Sequence, residues 1–205
     1  MTTRMIYYCL TGALFLVSYN LLAQSPRPAS PTSLTYGKLQ FSAPAGWQTQ
    51  QKADMLILTP PGTTINTTAA SITVFPPAAR NKKSLSQWMD LALSLIRSDY
   101  QVLRSQKPTP NTATNGTKSL IMTELLGEPS GSGKIYQLYC AVATGSSAQL
   151  VMYSASNPID FNRHAKIVNS VIESISVKKT STVRRDEPPT NRQINDRLLF
   201  SRIRA

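Results

Sequence analysis

Lys118–Ala155, KSLIMTELLGEPSGSGKIYQLYCAVATGSSAQLVMYSA, reads as three strands in succession. Lys118–Leu126, Lys134–Ala143 and Ala148–Ala155 are rich in apolar, β-branched and aromatic residues. Gly/Ser-rich punctuation separates them at Pro129–Gly133 and Gly145–Ser147. Connections that short permit only antiparallel neighbours, so the stretch is a meander. Leu120 and Met122 alternate with Ile121 and Leu125, and Tyr136, Leu138, Cys140 and Val142 alternate with Ile135, Tyr139 and Ala141. Apolar residues therefore occupy both sides of the ribbon. A sheet with one wet face would show them at every second position, so both faces are expected to be covered.

Outward from the meander, two helices are predicted. Over Ser84–Arg97, Ser84 and Gln87 form a capping box, and Leu85, Trp88, Met89, Ala92, Leu95 and Ile96 recur at helical spacing. After Asn157-Pro158 breaks the extended run, Asp160 is expected to cap Phe161–Ile175, with Phe161, Ala165, Val168, Val171, Ile172 and Ile175 as its apolar stripe. Further strands are expected at Tyr36–Phe41, Met55–Leu58, Ala70–Phe75 and Tyr100–Gln106. Asn115-Gly116 marks a hairpin that pairs the last of these with Lys118–Leu126. Trp47, after the Pro44–Gly46 turn, reads as a lid on the core, with stacking on a ligand as its alternative role.

The ends differ from this middle. Residues 1–23 combine a basic start at Arg4, an apolar run from Ile6 and small residues near the exit, which is the order of a secretory signal peptide. An uncleaved membrane anchor is the alternative. Residues 24–34 are a Pro/Ser-rich spacer and 35–177 a single domain. In 178–205, Lys178, Lys179, Arg184, Arg185, Arg192, Arg197, Arg202 and Arg204 stand against Asp186, Glu187 and Asp196. This stretch reads as a disordered tail able to touch an anionic membrane surface. The whole chain has 205 residues and a formal net charge of +12, a balance that suits anionic surfaces, but export argues against nucleic acid.

Catalytic groups are few. His164 is the only histidine, one turn after Asp160, and no Gly-x-Ser-x-Gly elbow supplies a serine to it. The pair reads as a surface contact on one helix. Cys9 falls in the leader, so Cys140 is the single thiol of the exported chain and reads as an inert core residue. One histidine and one such cysteine cannot form a zinc set, and the carboxylates show no EF-hand spacing. No catalytic, cofactor-binding or metal residues are assigned, and no cofactor is expected. Asn66 and Asn115 begin glycosylation sequons, relevant only in a eukaryotic source.

Phe41–Trp47 (FSAPAGW), the amphipathic helix, the long meander and the closing Ile167–Ile175 (IVNSVIESI) together resemble the PsbP-like superfamily, which includes DcrB-like periplasmic proteins. The resemblance spans 35–177 and implies an α+β fold, an αβα sandwich with a bent antiparallel sheet and helices on both faces. Together with the leader and the missing catalytic set, it suggests a non-enzymatic accessory, docking or assembly role in the cell envelope, periplasmic or secreted, with an envelope protein as partner. The alternative is a hydrolase or small-ligand-binding protein whose site is assembled from residues distant in sequence.

Overall fold

The meander is the centre of the sheet. In the computed structural model, which describes residues 31–64, 69–111, 117–127 and 133–178, it forms β9 (Ser119–Gly127), β10 (Lys134–Thr144) and β11 (Ser147–Ala155). Tyr136 pairs with Ala155 on one side of β10 and with Leu125 on the other. Beyond β11 lie β5 (Ala70–Val74), β4 (Met55–Thr59) and β3 (Gln48–Lys52), and beyond β9 lies β7 (Gln101–Ser105). Short β6 (Ala78–Ala79) and β8 (Thr109–Asn111) add to β11 and β9. Every pairing is antiparallel.

Both sheet faces are covered. Helix α1 (Leu85–Ile96) lies on the face shared by Met122, Tyr139, Ala141 and Leu150. Its capping box is present, with Ser84 Oγ accepting from the Gln87 amide and Gln87 Oε1 from the Ser84 amide. The buried side is Leu85, Trp88, Met89 and Leu93. Leu95, expected inside, is 41% exposed, because an i, i+4 step from Leu85 and Met89 lands on Leu93 and turns Leu95 to water beside Leu91.

The opposite face carries Cys140, Val142, Val151 and Tyr153 under α2 (Pro158–Glu173), together with a small second sheet. α2 starts earlier than the sequence suggested. Asn157, not Asp160, is the cap: its side chain accepts from the Asp160 amide at 2.8 Å, and Pro158 opens the first turn, where its missing N–H costs nothing. Its buried residues are Val168, Val171 and Ile172, with Ile175 just beyond.

The second sheet is β1 (Thr32–Tyr36), β2 (Leu39–Ala43) and β12 (Ser176–Val177), in the order β1-β2-β12. Two expectations are corrected here. Tyr36–Phe41 is not one strand, because Gly37 at φ +59° reverses the chain inside it, and strand structure reaches back to Thr32, into the expected spacer. A side chain at Gly37 would meet the Gln149 amide and Pro77 at 2.8 Å, so the turn needs glycine for space as well as for φ. The buried Gln149 side chain accepts from the Lys38 amide at 3.1 Å and donates to Tyr36 O at 3.0 Å. It ties the small sheet to the large one.

The expected leader, the residues beyond 178, both sequons' acceptor asparagines and the hairpin expected at Asn115-Gly116 lie outside the described residues. Among those described, no helix is long and apolar enough to cross a membrane.

Candidate functional site

The residues singled out for chemistry are separated by the fold. Cys140 is fully buried in the middle of β10, and burial pushes its thiol up to about 12 despite an opposing hydrogen bond from the Asn111 side chain. His164 meets Trp47 edge to face at 5.4 Å, and its Nδ1 is buried with no hydrogen-bond partner among the described residues. Asp160 does not pair with it. The Asp160 carboxylate instead accepts from Arg163 at 2.8 Å and from the Asn157 side chain at 2.7 Å. Those contacts hold it at the helix start, so the surface contact expected between Asp160 and His164 is replaced by one between Asp160 and Arg163. Trp47 is 9% exposed and belongs to the core, which is the lid reading.

One polar cluster was not foreseen. Glu124, on the α1 face of β9, is 5% exposed and accepts two hydrogen bonds from Arg97, one from Nε at 2.9 Å and a shorter one from Nη2. Beside it, Tyr139 donates its hydroxyl to Gln137 Oε1, and Gln137 donates to Ser154 Oγ at 3.3 Å. Burial, then the Glu124 charge, raises the Tyr139 hydroxyl above its ordinary range. The group fixes the end of α1 to the sheet. A carboxylate already saturated by a guanidinium is a poor proton acceptor. The sequence did carry a signal for it, since Glu124 falls on the same side of its strand as Leu120 and Met122, where an acid must find a partner.

The more open feature is on the other face, where α2 stops short of the β7 edge. Phe161, in the helix's first turns, stacks on Tyr153 at 5.1 Å and tilts over Tyr136 at 6.0 Å. Tyr153 is locked beneath it by hydroxyl bonds to Asp160 O at 2.9 Å and Phe161 O at 3.2 Å. Thr123, Leu125 and Tyr136 make the floor and Arg104 and Gln106 the outer rim of a recess of about 220 Å³. Register explains the set: Tyr136 and Arg104 both pair with Leu125, so all three point to one side of the sheet. A second recess of about 250 Å³, lined largely by the small residues Ala69, Ala70, Ser71, Ser154, Ala155 and Ser156, lies where β5 begins and β11 ends. Ligand pockets typically run from about 300 Å³ upward. The first recess combines an aromatic floor, an amide and a guanidinium at a strand edge, a set suited to receiving a side chain or short segment of another protein.

No protein-family model matches the chain, and no curated protein does. Solved structures do. Cyanobacterial PsbP (CyanoP) from Synechocystis sp. PCC 6803 superposes with a TM-score of 0.52 at 9% identity, over 76% of this chain and 96% of that one. A protein of unknown function from Pseudomonas aeruginosa gives 0.51 at 12% identity, over 74% and 100%. The chain has the PsbP-like fold, an α+β architecture of antiparallel sheet with a helix on each face.

Proposed function

We propose that this is an exported, non-enzymatic accessory protein of the cell envelope that docks a protein partner through the recess between α2 and β7. The observation that carries the reading is the recess itself: an aromatic floor set by Tyr136 and Phe161, with Arg104 at its rim on an edge strand whose five residues are all exposed. The fold shared with cyanobacterial PsbP supports an accessory role, and the leader-like residues 1–23 support export.

A photo-reactive phenylalanine derivative at Gln106, in cells, tests the docking. One discrete adduct is expected, weakened several-fold by Arg104→Glu; the same adduct from a probe at Ser94, exposed on α1 across the sheet, or no adduct at all, would reject the recess. Mass spectrometry of the native protein tests export separately. A first residue near Gln24 is expected, and an intact Met1 in washed membranes would mean an anchor.

A further inference from the structure

Four separate segments bring cations to one end of the domain, around the turn that joins β10 to β11. Arg80 is tied there by its amide to Ser146 O at 3.0 Å and by Nη2 to Gly145 O at 2.6 Å. Asn81 and Lys82 then adopt left-handed backbone, and Lys83 closes the turn on Arg80 O at 2.8 Å, so both lysines project from the entrance to α1. Lys38 reaches Ser147 Oγ with its Nζ at 3.3 Å and accepts at its carbonyl from the Lys178 amide at 2.9 Å. Lys118 is held alongside, its carbonyl accepting from the Ala143 amide at 2.9 Å.

None of these six cations meets a carboxylate among the described residues, where the ion pairs are Arg97–Glu124 and Arg163–Asp160. Lys82, Lys83, Lys118 and Lys178 are exposed. The first turn of α1 contains no acid, so its positive pole adds to the field. Asp54, whose charge acts on Tyr36 and which follows Lys52 by two residues, is a carboxylate near this end among the described residues. The chain also leaves the described domain here, and the sequence that follows begins with Lys179 and continues to Arg184 and Arg185.

We propose that this end of the folded domain is a contact surface for anionic phospholipid. Protein interfaces owe most of their affinity to exposed apolar anchors, and among the described residues the exposed large hydrophobic ones, Leu91, Leu95, Val102, Leu103, Ile159 and Ile167, are not part of this cluster. Several lysines on flexible stems match instead a layer of mobile phosphate headgroups, which rewards charge without demanding shape. The proposal goes beyond the docking recess and does not depend on it.

Footprinting of the full chain by acylation of its lysines, on phosphatidylcholine vesicles and on equimolar phosphatidylcholine–phosphatidylglycerol vesicles at low salt, tests it. On anionic vesicles Lys82, Lys83, Lys118 and Lys178 should react several-fold more slowly, while Lys107, Lys134 and Lys166 keep their rates. Raising the salt should abolish the protection. The comparison is made within one molecule, so any anchoring by the leader or tail leaves the pattern readable. Equal reactivity of the two lysine groups on anionic vesicles, or the same protection on neutral ones, would overturn the proposal.

Discussion

The two ends of the domain use their charge in opposite ways. Near the end of α1 and the start of α2, Arg97 and Arg163 are each paired with a carboxylate, Glu124 and Asp160, and serve to hold a helix end in place. Around the β10–β11 turn, Lys38 and Arg80 have hydroxyl and backbone partners, and no cation of the group meets a carboxylate among the described residues. The buried Glu124 charge and its partner belong to the fold, the exposed Arg163–Asp160 pair contributes little, and unpaired surface charge remains available to a partner.

The largest effect expected from breaking this contrast is at the paired end. Arg97→Met leaves a buried Glu124 carboxylate without its counter-ion and should destabilise the protein by about 3 kcal/mol, at the lower end for such losses because Arg97 is itself partly exposed. Urea unfolding with an unchanged slope would register it; a shift below 1 kcal/mol would show that water replaces the guanidinium. Next comes Gln149→Leu, which removes both hydrogen bonds to the Gly37 turn and should cost about 2 kcal/mol by the same measurement. A wild-type midpoint would mean that the small sheet is not tied through Gln149.

Alkali offers a third test that involves neither end. The Cys140 thiol ionises near 12 when folded, against 9.0 as its unperturbed value. As pH rises, the unfolded chain therefore loses its proton first. Through this thiol the stabilisation is present below about pH 9 and declines above it, by about 1 kcal/mol between about pH 9 and 10, alongside a decline from the tyrosines whose hydroxyls burial raises from 10.0. In Cys140→Ala the decline over this window should shrink by about 1 kcal/mol; an undiminished decline would place the titration elsewhere. The smallest effect belongs to the open end. Lys82→Gln with Lys83→Gln should leave stability within about 0.5 kcal/mol, and a larger loss would show that these lysines support the fold after all.

Much of the architecture was legible because its signals were local. The meander, the capping box at Ser84 and the stripe ending at Ile175 each lie within a short window, and the structure places them within a residue or two of expectation. What was missed depended on distant partners. β3, Gln48–Lys52, is exposed at all five positions and shows no alternation, so only its pairing with β4 makes it a strand. β8 contains Pro110, which is tolerated because β8 lies at the sheet's margin. The recess was invisible for the same reason: Arg104, Tyr136 and Phe161 share one wall only after three elements have paired and packed. The Asp160–His164 contact failed because helix spacing shows which residues can meet, and Arg163 and Asn157 were the nearer partners.

The small sheet has a consequence for the order in which the protein can mature. Its first two strands are among the earliest parts of the domain to be synthesised, yet their partners come from the other end of the chain: Gln149 for the Gly37 turn, the Ser174 hydroxyl for the Ser42 amide at 2.9 Å, and Ser176 and Val177 for Gln40 and Leu39. Leu39 and Phe41, both buried in the finished core, must therefore wait exposed until almost the whole domain has been made. A chain interrupted before Ser174 would lack the pieces that close over them. The nascent hairpin is thus the segment most in need of a chaperone, and its release coincides with the arrival of the last strand.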